Sequence, residues 1–254
     1  LTFMLISSAF ICVIGIIYGV FTGFRVINEI NGQVVVLAAI LAAMLTANIC
    51  FSIFGAKYGS FAIIIMFAML GTIVISTVYG LVYDPVRNKL NVYNILGIAV
   101  VVVIIVLGYV NNRNGKTDDQ NTKKNKKIFA GICLAVFLLN GSALSIYSFF
   151  TSTNKQYGEI NYIFLYSFFC MILCVILIAI IVLCKRGSVP EIAVATKVKP
   201  LLCTVTYGGA FMLSEFCSLL NTSVLPIVIQ APLSFAINII SVAIVDFIFF
   251  KQKL

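Results

Sequence analysis

The residues of this chain that could do chemistry are few, and they lie in apolar surroundings. Glu215 is the one acid well inside an apolar run, in Phe211-Met212-Leu213-Ser214-Glu215-Phe216-Cys217. An ionised carboxylate there needs a cation, a hydrogen-bond donor or water, and otherwise it takes up a proton. No Lys or Arg lies inside an apolar run to pair with it. Two roles remain open. Glu215 faces a cavity and binds a cationic group, or a proton coupled to transport. Alternatively, it is a protonated carboxyl that bonds a neighbouring helix or reaches the outer interface. Asp246 lies near the end of its run and is expected to meet the interface.

Polar residues at helical spacing extend the candidates. Thr204, Gly208, Phe211, Glu215 and Ser218 form a stripe at steps of four and three. Gln230, Ser234, Asn238 and Ser241 form another. Gly141, Ser145 and Ser148 form a third, with Asn140 beside them. Asn48 and Ser52 accompany a small-residue face at Ala43 and Ala47. Small and hydroxyl residues let helices approach and hydrogen-bond across the contact. The larger amides can instead wall a substrate cavity at mid-membrane depth. Asn48, Asn140, Gln230 and Asn238 are therefore the substrate-binding candidates beside Glu215. Tyr79, Tyr147 and Tyr207 could stack on or hydrogen-bond a solute, or serve packing and the membrane boundary.

Other chemistries lack their parts. The chain has no histidine, and its eight cysteines lie in or at the ends of apolar runs. Cys170 and Cys174 are one helical turn apart, but no second pair completes a zinc site. Such thiols are expected to act as small polarizable fillers. Membrane proteases and metal hydrolases need His/Glu/Asp clusters or a Ser–Lys pair. Asp118-Asp119 has no partner motif for magnesium. The reading is thus no enzyme, no catalytic residue and no metal.

The elements that must position these residues follow from composition. Of 254 residues, 62% are hydrophobic and 10% charged, and mean hydropathy is +1.13. A soluble domain carries roughly 25% charge. Lipid is therefore the expected solvent. The net charge of +9 does not point to nucleic acid. Its bases sit in short polar breaks, as juxtamembrane residues do beside anionic headgroups, rather than on a patterned face.

Eight apolar runs are long enough to span a bilayer, near Thr2–Val20, Val34–Phe54, Tyr58–Leu81, Val92–Tyr109, Ile128–Phe150, Asn161–Cys184, Pro200–Leu220 and Val224–Phe250. Helix is the state that satisfies their backbone in lipid. Asp84-Pro85 closes the third run, and Pro200 fits the first turn of the seventh. Asn221-Thr222-Ser223 is expected to turn tightly between the seventh and eighth.

Residues 111–127 contain six bases, two acids and no apolar residue, which predicts an exposed linker. They separate a first half, 1–110, from a second, 128–254. One side of the membrane holds Lys57, the linker bases, Lys185, Arg186, Lys197, Lys199, Lys251 and Lys253. The other holds Arg25, Arg87, Lys89 and Lys155. Positive residues stay inside, so the linker is expected to face the cytoplasm of a multi-pass plasma-membrane protein, in keeping with a bacterial inner membrane.

The connections suggest a repeat. Long breaks follow the first and sixth runs, and tight turns follow the second and seventh. Helix n then matches helix n + 5. An odd period places the halves upside down to each other. It also implies a ten-helix parent, with one helix lacking here at each end. The fold class expected is all-α, a bundle of eight visible transmembrane helices from an inverted repeat of five-helix halves.

Two stretches carry a resemblance. One is Gly55-Ala56-Lys57-Tyr58-Gly59-Ser60 entering a helix, followed later by Asn94-Ile95-Leu96-Gly97-Ile98-Ala99. The other runs from Leu225-Pro226 through Ala231-Pro232-Leu233-Ser234 to Phe249-Phe250-Lys251-Gln252-Lys253-Leu254. Together they resemble the EamA-like halves of the drug/metabolite transporter superfamily in its ten-helix form. The chain departs from that pattern at Gln252, where an acid is usual, and at Arg87-Asn88. The resemblance implies alternating-access transport of a small metabolite, amino acid or drug-like solute without a bound cofactor. The expected partners are the bilayer, from composition, the solute, and a proton, from Glu215. A lipid-headgroup flippase and a non-transporting accessory subunit are the alternatives.

The charge asymmetry has a direct test. Trypsin is expected to cut within residues 111–127 in inside-out vesicles and to spare them in right-side-out ones. Cutting from the opposite side would reverse the orientation.

Overall fold

A computed structural model describes residues 2–22, 31–86, 122–154, 157–185 and 198–234, with isolated positions at 88–103 and 236–237. Among the described residues the protein is all-helical, with no strand. The helices are α1 (Thr2–Thr22), α2 (Gly32–Ala56), α3 (Phe61–Tyr83), α4 (Thr122–Thr153), α5 (Glu159–Lys185) and α6 (Val198–Val224). Residues 227–234 are helical as well. Five helices contain stretches long and apolar enough to cross a membrane: Met4–Phe21, Gly32–Ala56, Ile63–Tyr83, Lys127–Thr153 and Glu159–Val182. By length and composition this is a multi-pass membrane protein. The less apolar α6, which carries Glu215, is not among the five. Large side chains point outward on every one of these helices, among them Phe21, Ile53, Val82, Leu134 and Ile176. In water that much exposed apolar surface would drive aggregation, whereas in lipid it is the expected outer face.

The helix ends follow local chemistry. Asp84 caps α3, with its backbone N–H donating to the Gly80 carbonyl, and Pro85 follows. α6 carries Pro200 in its first turn. Its other end departs from expectation. Asn221-Thr222-Ser223 remains helical, and the break falls at Leu225-Pro226. Thr222 Oγ1 donates to the Ser218 carbonyl at 2.6 Å and Ser223 Oγ to the Leu220 carbonyl at 2.7 Å. Polar side chains that bond back onto the helix do not end it, but the proline does. The expected linker is also shorter, because α4 begins at Thr122 and takes in residues 122–127. Lysine is a good helix former, so a basic segment can continue a helix. Most of the fourth expected run, 111–121 and everything beyond 237 lie outside the described residues.

The chain forms two compact units, Leu1–Cys50 with Ile146–Ser223, and Phe51–Ser145 with Val224–Leu254. Each draws segments from both sides of residues 111–127. In the first unit α5 is central. Tyr162, Tyr166, Cys170 and Cys174 recur every fourth residue, and all are buried. That spacing keeps them on one helix face. Gly15 of α1 lies against Phe164, where a Cβ would come within 2.7 Å of the ring. The Cys170 thiol reaches the Ala42 carbonyl of α2 at 3.8 Å. The buried face of α2 runs through Val34, Ala38, Leu41, Ala42 and Thr46, whereas Ala43 of the expected small-residue face is exposed. An apolar groove on α1 and α5 is lined by Leu5, Ala9, Met171, Ile172 and Val175.

The second unit is organised around a close crossing of α3 and α4. A Cβ on Gly71 would sit 2.0 Å from the Phe137 carbonyl oxygen, and one on Gly141 would sit 2.3 Å from the Gly71 carbonyl oxygen. Only hydrogen fits on either side. Asn140 secures the crossing. Its Nδ2 donates to the Ala68 carbonyl at 3.1 Å and to Thr72 Oγ1 at 2.7 Å. Ile64, Ile132, Cys133 and Val136 pack on one side of it as a buried cluster.

The crossing predicts a contrast between glycines. Gly71→Ala meets backbone and is expected to cost roughly 1–3 kcal/mol, as overpacking does. Gly131→Ala, which meets nothing within 4 Å, is expected to be neutral or slightly stabilising. Thermal unfolding in detergent checks this. Equal melting temperatures would show that the crossing is not tight.

Candidate functional site

Within the first unit α6 turns its polar stripe inward. Thr204 and Leu219 are buried, and Gly208 lies 3.3 Å from the Ser7 backbone of α1 as measured from its Cβ position. The expected stripe of Thr204, Gly208, Phe211, Glu215 and Ser218 thus lies on or beside the packed face. Thr204 and Gly208 are buried, and Glu215 is the stripe's one acid.

Two phenols meet the Glu215 carboxylate. Tyr147 of α4 and Tyr166 of α5 both donate to Oε2, the latter at 3.3 Å. Both tyrosines are almost wholly buried. Among the described residues, the titratable groups that feel the field of Glu215 are Tyr147, Tyr166, Cys170 and Tyr207. None of them is a cation. Phenol donors stabilise an anion, but in a low-dielectric setting they do so less than a full positive charge would. The carboxyl is thus held in place with no cation among these neighbours, an arrangement suited to binding a proton or a cation.

An aromatic column continues from the site. The Tyr147 and Tyr166 rings are 6.4 Å apart, Tyr166 and Tyr162 meet edge-on at 5.8 Å, and Tyr162 stacks on Phe150 at 3.8 Å. Tyr157 then meets Phe150 edge-on at 6.5 Å. The α4–α5 connection supports this end. Gly158 adopts φ 78, a left-handed conformation that glycine takes without strain. Burial raises the Tyr157 phenol above its ordinary value. On α6, Tyr207 stacks on Phe211 at 6.0 Å.

The sequence candidates have different places. Glu215 has Tyr147 and Tyr166 as hydrogen-bond partners. Asn48 is half-buried on α2 in the same unit. Asn140 serves the α3–α4 crossing, and Gln230 is buried in the second unit. Asn238 lies outside the described residues. Tyr166 and Tyr162 were missed by the sequence reading. Their signal is the four-residue spacing of polar atoms, Tyr162-Tyr166-Cys170-Cys174, inside a run otherwise read as apolar. Among the described residues no three His, Cys, Asp or Glu side chains converge to hold a metal. No family model, curated protein or solved structure matches this chain.

Removing a phenol should show in stability. Tyr147→Phe is expected to cost about 1–3 kcal/mol, the range for a hydrogen bond to a charged or buried group. A double-mutant cycle with Glu215→Gln should give a coupling of at least about 0.5 kcal/mol. Additive effects would mean that the two side chains do not interact.

Proposed function

We propose that this protein is an integral membrane transporter of the drug/metabolite type, which moves a small solute across a plasma membrane by alternating access. On this reading the full plan is an inverted repeat of five-helix halves, and α6 and the segment beyond Val224 also cross the bilayer. Glu215 binds the cationic group of a solute and a proton in turn, so the two compete for one carboxylate. Tyr147 and Tyr166 fix the carboxylate's position and ease its ionised state.

The observation that carries this reading is the Glu215 carboxylate held by two buried phenols from α4 and α5, with no cation among its partners in the described residues. Two donors from different helices fix the carboxyl in one orientation, as a binding group requires. Charged groups at membrane depth are costly and are retained where they act. The resemblance in the sequence points to the same activity.

Proteoliposomes loaded with a pH-sensitive dye offer the test, with arginine, spermidine and choline as probes. The native protein is expected to release protons inward or outward against at least one probe. Glu215→Gln is expected to abolish the exchange or its dependence on pH. Solute uptake that is identical for both proteins across pH would rule out the coupling role.

A further inference from the structure

Tyr162 poses a problem that the two-phenol site does not solve. Its side chain is fully buried on α5, and its hydroxyl has no hydrogen-bond partner among the described residues. Its ring is pinned on both sides, stacked on Phe150 and edge-on to Tyr166. The hydroxyl therefore cannot swing out to the surface to find a partner. A polar group left dry in such a place is costly, and buried polar groups are nearly always satisfied. A phenylalanine would fill the same volume without that cost, so the hydroxyl calls for a partner.

Its position suggests which partner. Tyr162 is one helical turn from Tyr166, whose hydroxyl donates to Glu215 and keeps lone pairs to accept with. A water in a buried site needs two to four polar contacts. The Tyr162 hydroxyl and the Tyr166 oxygen supply two of them. Other occupants fit less well. A metal would need several strong ligands, and the surrounding rings offer none.

We propose that the Tyr162 hydroxyl holds an internal water that joins it to Tyr166, making Tyr162 a third, indirect member of the Glu215 site. The inference rests on Glu215 being the working group, as proposed above. The water extends the hydrogen-bonded chain from the carboxylate toward the α4–α5 connection. The Tyr162 hydroxyl donates to the water and the water donates to the Tyr166 oxygen, so each phenol keeps its proton. Tyr162 acts through the water and through Tyr166, and is a positioning residue.

Radiolytic hydroxyl labelling of the full chain in nanodiscs, read residue by residue by mass spectrometry, tests the hydration directly. A side chain beside a bound water is labelled even when it is buried, and a dry one is not. Phe150 is the internal reference, since it is as buried as Tyr162 and stacked on it. Tyr162 is expected to label at least tenfold faster than Phe150. Equal rates would overturn the proposal, and this arm needs no variant. The link to Glu215 is read in Tyr162→Phe by infrared titration of the carboxyl band. The midpoint is expected to move by half a pH unit or more, and an unmoved midpoint would overturn the connection. Neither arm uses a transported solute. A Glu215→Gln protein with unchanged uptake would therefore sink the coupling role and leave the hydration standing.

Discussion

Everything proposed for this protein turns on one balance, the cost of keeping a carboxylate away from water against what two phenols can return. Two hydroxyls on one oxygen keep Glu215 aimed and make its ionised state accessible. They do not replace a cation. On the proposed reading, a small change in its surroundings decides whether the side chain holds a proton or gives it up. Helices α4, α5 and α6 each contribute one member, so the balance registers any shift of one helix against another. A carboxylate tied to a lysine would be far less sensitive.

The second unit shows the opposite design. At the α3–α4 crossing the backbones meet at Gly71 and Gly141, and Asn140 closes the contact with two hydrogen bonds. In lipid there is no hydrophobic gain from bringing two apolar helices together, so close packing and polar contacts must hold them. Small residues supply the first and the asparagine the second. Such a crossing is held by close packing, whereas the Glu215 site is held by hydrogen bonds to one carboxyl oxygen.

Much of this was legible in the sequence. Lipid as solvent, helix as state and the six main helices followed from hydropathy and from the backbone's need for internal partners. Glu215 stood out as an acid in an apolar run, and the inward stripe of α6 followed from its spacing. Partner identity was not legible. Asn140 reads in the sequence as a candidate amide, but its partners Ala68 and Thr72 on α3 depend on how far apart two backbones lie. Tyr166 escaped notice because tyrosine in an apolar run reads as bulk until a neighbouring helix supplies an acceptor. The end of α6 was misplaced because Asn, Thr and Ser favour turns in general but can also bond back onto their own helix.

The central claim is that an uncompensated Glu215 carboxylate selects positive charge. The most direct measurement is thermal stabilisation of the purified protein by a library of small solutes sorted by charge, run beside Glu215→Gln. The account predicts stabilisation by cationic solutes that weakens as pH falls and disappears in the variant. Stabilisation by neutral or anionic solutes that is equal in both proteins would contradict it.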